Sequence, residues 1–170
     1  MKVLITGGAG YIGSKLVNHF LQKDYQVTVI DSFLYEETSL LCYNSNKNFN
    51  CIRGDARDTN FLKKILPKYD VIIPLAALVG APLCDRDPEL AFSINTNAIH
   101  EICKIKSKNQ IILFPMTNSG YGIGDKDMCT EVSPLSPVST YGISKVEAEK
   151  YILDTENFIC FRLATVFGIS

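Results

Sequence analysis

Short apolar runs and longer stretches of helical spacing alternate along this chain. KVLIT (2–6) is a compact, β-rich run that ends in glycines. Over 11–23, Ile12, Leu16, Val17, Phe20 and Leu21 recur at the three- and four-residue spacing of one helix face. QVTVID (26–31) reads as a second strand and FNCIRG (49–54) as a weaker third. The stretch 32–48 between them has no period, is polar late on, and reads as a loop with a helical turn. DTNFLKKILPK (58–68) opens on an Asp or Thr cap and reads as a short helix ended near Pro67. DVIIPLAA (70–77) is a continuous apolar strand. A loop follows, then DPELAFSINTNAIHEICKIK (87–106), one long helix with Pro88 in its first turn. NQIILFP (109–115) is another buried strand, 140–154 a helix, and FICFRLATVFG (158–168) contains the last strand. Strands that are apolar throughout, alternating with helices, predict an α/β fold: a doubly wound parallel sheet covered on both faces.

Composition narrows the function classes. A chain of 170 residues with 46% hydrophobic and 21% charged positions suits one soluble domain with a full core. Net charge is −1, so no broad field calls for nucleic acid or acidic lipid, and neither is expected as a partner. Lys104, Lys106 and Lys108 decorate a helix end, where cations suit the dipole. The six cysteines are scattered without paired spacing, which predicts reduced thiols, no metal site and a cytoplasmic location. His19 and His100 lie far apart in predicted helices and read as structural. The N-terminus runs straight into a strand without a signal peptide, and no apolar run reaches membrane-spanning length.

TGGAGYIGS (6–14) joins the first strand to the first helix. It satisfies G-x-G-x-x-G through Gly8, Gly10 and Gly13, and G-x-x-G-x-x-G through Gly7, Gly10 and Gly13. Either way the backbone can turn sharply and approach a pyrophosphate, with Tyr11 and Ile12 in the same turn and the free N–H groups of a helix start beyond it. Asp31 closes the second strand, where a carboxylate accepts hydrogen bonds from the adenosine ribose and repels a 2′-phosphate. No arginine stands beside it. The expected cofactor is therefore NAD rather than NADP.

A tyrosine four residues ahead of a lysine can serve proton transfer, and the chain has three such pairs. Tyr11/Lys15 falls in the phosphate loop, and Tyr43/Lys47 in the irregular polar stretch. Only Tyr141/Lys145, in YGISK, lies on a clean helix, where i and i+4 share one side. Moving hydride between a substrate carbon and nicotinamide requires a proton to move on the adjoining oxygen. A free phenol titrates near ~10, so a base at neutral pH needs help; a nearby lysine cation and the oxidised nicotinamide would both lower it.

Taken together, these motifs resemble the extended short-chain dehydrogenase/reductase family of NAD-dependent nucleotide-sugar epimerases and dehydratases, which have a Rossmann fold. The resemblance runs the length of the chain. ITGGAGYIGS is similar to the family's first turn, and GDARD (54–58) to its adenine-contacting segment, which implies Asp55 and Ala56 at the base. Leu75, Ala76 and Ala77 match the segment passing beside the cofactor, and Asn95 the family's helix asparagine. PMTNSGYG (115–122) resembles the stretch carrying the catalytic hydroxyl, here Thr117 with Asn118 beside it at the substrate, and YGISK supplies Tyr141 and Lys145. The resemblance implies Thr117, Tyr141 and Lys145 as the catalytic set, with Lys145 also holding the nicotinamide ribose and Tyr141 touching both cofactor and substrate. It also implies a nucleotide-sugar substrate, and a homodimer through a four-helix bundle built from the helices near 90–105 and 140–154.

Three departures qualify the match. Dehydratases of the family carry an Asp-Glu pair after the catalytic Thr; Asn118 and Ser119 stand here and cannot act as acid and base of an elimination. Pro74 replaces a frequent His, and Thr165 replaces Asn in RLATVFG (162–168). Family members continue into a lobe that grips the sugar, so residues 1–170 are expected to be the NAD-binding domain, truncated before that lobe and able to bind NAD with little or no turnover. A 4-epimerase is the leading expectation. A sugar reductase, dehydrogenase or dehydratase of the same family comes next, then a non-catalytic NAD-sensing protein.

Overall fold

The computed structural model describes residues 1–123 and 128–168. Six parallel strands form one sheet in the order β3-β2-β1-β4-β5-β6: β1 (Lys2–Thr6), β2 (Gln26–Asp31), β3 (Phe49–Arg53), β4 (Val71–Pro74), β5 (Ile111–Thr117) and β6 (Phe158–Leu163). The helices are α1 (Tyr11–Gln22), α2 (Thr59–Ile65), α3 (Ala81–Arg86), α4 (Pro88–Phe92), α5 (Ala98–Ile105) and α6 (Thr140–Leu153). This is the doubly wound Rossmann-like architecture that the apolar strands predict.

Strand alternation sorts the core onto two faces. Val3, Ile5, Val27, Val29, Val71 and Ile73 point to one side and pack with Val17 and Leu21 of α1. Leu4, Ile30, Ile72, Ile112, Phe114 and Met116 point to the other. There they meet Leu62 and Ile65 of α2, Ile99 and Ile102 of α5, and Ala148 and Ile152 of α6. The order reverses between β1 and β4, and the crevice above that switch point is where such sheets take ligands.

Several boundaries move, each for a local reason. The helix expected over 58–68 gives α2 and then a 3₁₀ turn, Leu66–Lys68, because Pro67 has no N–H to continue the ladder. The strand expected over 70–77 pairs only to Pro74; Leu75 still donates to the Thr6 carbonyl (2.8 Å) before the chain leaves the sheet. The long helix expected over 87–106 is broken into α4, a π-helical segment Ser93–Asn97, and α5. A preceding helix, α3, lies in what reads as a loop; with only six residues it offers too little periodicity to find. The fifth strand lies two residues further on than expected. Gln110 instead bridges a turn, donating from Nε2 to the carbonyls of Leu66 and Tyr69 (2.6 Å each). The stretch 32–48 is a loop with one 3₁₀ turn, Leu41–Tyr43, as expected. Among the described residues no helix is long and apolar enough to cross a membrane.

Candidate active site

The loop after β1 is shaped by contacts that a side chain would obstruct. Gly7 has φ +71°, and its N–H donates to the Ile30 carbonyl at 2.8 Å. A Cβ there would lie 2.5 Å from the Ala76 nitrogen, so the loop and the segment after β4 run against each other backbone to backbone. Gly13 brings α1 equally close: its Cβ would lie 2.5 Å from Gly8 Cα. The helix starts at Gly10 with no side-chain cap and no acid in its first turn, so its N–H groups and partial positive charge face outward.

Asp31 forms the next wall. Its carboxylate accepts from Ala9 N–H and from Phe33 N–H, 2.9 Å each, one bond per oxygen. Each oxygen keeps a lone pair, and two fixed acceptors at the end of β2 suit a pair of ribose hydroxyls. Glu37 Oε2, on the same side of the groove, is buried without a protein partner. Asp55 also lines the groove, but Arg57 engages its carboxylate through the backbone N–H (2.8 Å) and Nε (3.0 Å). The Arg57 side-chain hydrogen bond holds the Asp55 carboxyl below the usual range.

The groove bounded by these segments has a volume of about 1060 Å³, at the upper end of the range for ligand sites. Gly7, Gly10, Tyr11, Ile12, Gly13, Asp31, Asp55, Ala56, Leu75, Ala76, Ala77, Thr117, Asn118, Tyr141 and Lys145 all line it. The phenol at 141 and the lysine at 145 thus share the crevice with the glycine loop.

Asn95 does not line it. Its Oδ1 accepts from Leu78 N–H (2.8 Å), and its Nδ2 donates to the Leu78 carbonyl and to Ser144 Oγ (3.0 Å each). The π-helical segment turns this side chain, and Thr96 beside it, onto α6; Thr96 Oγ1 donates to the Ser144 carbonyl at 2.8 Å. Asn95 therefore braces the helix that carries Tyr141 and Lys145, while Ile94 takes the place on the groove wall. The resemblance implies Asn95 at the cofactor; here its amide is taken up by Leu78 and Ser144 instead. Ser32, Leu34, Ser119 and Val166 are further wall residues with no sequence signal of their own.

The catalytic candidates are held from below. Ser139 caps α6, accepting from Gly142 N–H at 3.1 Å. Thr117 closes β5; its Oγ1 accepts from Ser119 N–H and meets Ser119 Oγ, both at 3.2 Å. Burial raises the Tyr141 phenol above its ordinary value, with the Thr117 hydroxyl drawing it partly back. The expected lowering by Lys145 is absent from these causes. The Lys145 ammonium lies over the Phe114 ring, 4.2 Å from its centroid. Lys145 is only 5% exposed, and desolvation lowers it to about 8, against the raising influence of Cys160 and Glu149.

A glycine-lined helix start, an acid at the end of the second strand and a Tyr/Lys pair over the same crevice define a dinucleotide-dependent short-chain dehydrogenase/reductase type of site. Residues 3–170 match the NAD dependent epimerase/dehydratase family, and the chain belongs to that family. It is 29% identical over 160 residues to UDP-glucose 4-epimerase 3 of Oryza sativa subsp. japonica, covering 88% of this chain and 43% of that protein. Among solved structures it is similar to the Bordetella bronchiseptica enzyme WbmG in complex with NAD and UDP. The TM-score is 0.87 at 28% identity, over 98% of this chain and 54% of that one. The dTDP-glucose 4,6-dehydratase DesIV of Streptomyces venezuelae, with NAD and TYD bound, is also similar. There the TM-score is 0.83 at 27% identity, over 89% of this chain and 50% of that one. The chain thus spans about half the length of the relatives it matches, and both epimerases and dehydratases are among them.

Proposed function

We propose that this chain is the NAD-binding half of a nucleotide-sugar epimerase of the 4-epimerase type. The observation that carries the reading is that Tyr141 and Lys145 open onto the same groove as Gly10 and Asp31. The residues fit the cofactor. The start of α1 would face the pyrophosphate, Asp31 would take the adenosine ribose hydroxyls, and Lys145 would donate to the nicotinamide ribose. NAD, when bound, supplies the hydride acceptor. Tyr141 would exchange a proton with the substrate oxygen and Thr117 would hold that oxygen in place. A phenol is protonated at neutral pH and burial raises this one further, so the base form would depend on a positive charge brought to the groove, which oxidised nicotinamide carries and reduced nicotinamide does not. Asn118 and Ser119 supply no acid–base pair for elimination, which favours epimerisation over dehydration.

NADH fluorescence titration of the chain tests the first half: saturable binding, displaced by NAD, is expected, and no saturation overturns it. Retention of NAD through purification supports the epimerase reading, since such an enzyme returns its hydride in each cycle; free exchange favours a reductase. The carboxylate of Asp31 sets the choice of dinucleotide. Asp31→Asn is expected to narrow the preference for NADH over NADPH by about tenfold, worth ~1.4 kcal/mol, in the same titration. An unchanged ratio would remove Asp31 from that role.

A further inference from the structure

Behind Lys145, on the side away from the groove, lies a buried ionic cluster that the proposed chemistry leaves unused. Glu149 is one helical turn beyond Lys145 on α6 and is 3% exposed. Its Oε1 accepts from Arg162 Nε (3.0 Å) and from Cys160 Sγ (3.2 Å), and its Oε2 from Arg162 Nη2 (3.3 Å). The Arg162 side chain is 16% exposed. Its Nη1 donates onward to the Glu131 carbonyl (2.8 Å), and its guanidinium lies 5.5 Å from the Tyr121 ring centroid. Arg162 pairs in register with Met116, next to Thr117. One carboxylate thus joins α6, β6 and the segment that follows Thr117.

We propose that Glu149 is a positioning residue for Lys145, neutralising Arg162 so that the lysine keeps its charge in an enclosed site, and that Arg162 in turn limits how far that carboxylate favours the ammonium. Two cations and one carboxylate share this low-dielectric space, with the Cys160 thiol bonded to the carboxylate. Burial, together with its hydrogen bond to Glu149, pushes the Cys160 thiol up to about 12. It is therefore neutral where Lys145 titrates, near 8, and the negative charge that sustains the ammonium there belongs to Glu149. Tyr141, the other ionisable group of this helix that faces the groove, is neutral at the same pH because its phenol is raised. An ion pair that served only to fasten β6 to α6 would respond alike to loss of either partner. A pair that tunes Lys145 must respond with opposite signs.

The inference rests on the reading of Lys145 as the ribose partner, but its test needs no cofactor. The ¹³Cε resonance of Lys145, in chain labelled at lysine and assigned by its disappearance in Lys145→Met, reports protonation directly. Glu149→Gln is expected to move its titration midpoint down by about one pH unit, and Arg162→Gln to move it up by a similar amount. Glu149→Asp, which keeps the charge, should leave it near that of the natural chain. Each variant decides separately: a midpoint that stays put in a folded Glu149→Gln or Arg162→Gln chain, or moves against the stated sign, overturns the proposal. NADH titration of the same samples then addresses the cofactor reading. Glu149→Gln should lose affinity at a lower pH than the natural chain. Absence of NADH binding in the natural chain would instead count against Lys145 as a ribose ligand.

Discussion

Lys145→Met is expected to unfold at a higher temperature than the natural chain and to bind NADH far more weakly. Lys145 is almost fully buried, and its folded value of about 8 lies below the 10.5 of a free lysine. At pH 7 the folded state therefore carries an ammonium that would rather be in water. The sign follows from proton counting. Between pH 8 and 10.5 the unfolded chain holds more protons than the folded one, so the penalty is complete below 8 and disappears as pH rises through that window. Removing the charge at pH 7 should stabilise by on the order of 2–3 kcal/mol, or roughly 5–10 °C for a domain of this size. Methionine keeps most of the volume, so little cavity offsets the gain. Thermal scans also carry a second signature. The stability of the natural chain relative to that of the variant should rise as pH goes from 8 toward 10.5. The buried cysteine thiols, Cys103 and Cys160 held up to about 12 among them, ionise earlier when unfolded and lower both chains alike in the alkaline range, so they cancel in that difference. An unchanged melting temperature with NADH binding intact would refute both halves of the expectation.

The glycine loop offers a paired experiment. Gly13→Ala places a Cβ 2.5 Å from Gly8 Cα and 2.6 Å from the Gly8 carbonyl oxygen. Both are backbone atoms, so α1 must withdraw from the loop. Destabilisation of about 2–4 kcal/mol is expected, with loss of measurable NADH binding. Gly10→Ala separates the two effects. Its Cβ meets nothing nearer than the Gly7 carbonyl oxygen at 3.5 Å, and its φ of −72° suits alanine. The fold should stay within about 0.5 kcal/mol of the natural chain. On the proposed binding mode, however, the methyl group would project toward the pyrophosphate, and affinity should fall about a hundredfold, or ~3 kcal/mol. Equal NADH affinity in Gly10→Ala and the natural chain would place the pyrophosphate elsewhere.

This stability cost at Lys145 is the kind of strain expected where function rather than folding selects a residue. It also separates what was legible in the residue string from what was not. The glycine spacing, Asp31 and the Tyr141/Lys145 pair were readable because each is a local pattern tied to one strand–turn–helix unit. The crevice that gathers them follows from strand order, which alternating βα units largely dictate. The bracing contacts of Asn95 were not legible, because a π-helical segment leaves no mark in hydrophobic periodicity. The upward shift of Tyr141 was unreadable because burial depends on how distant segments pack around the phenol.

By itself the sequence determined the fold class and the family's local motifs: the glycine loop, the acid at the end of the second strand and the Tyr141/Lys145 spacing. All of these rest on short-range spacing and on backbone sterics that any context preserves. Tertiary structure alone decided that the Lys145 ammonium lies over Phe114, and that Glu149 pairs with Arg162 across thirteen residues of chain. Charge and desolvation act through space, and only the packing of α6 against β5 and β6 brings those groups within reach of one another.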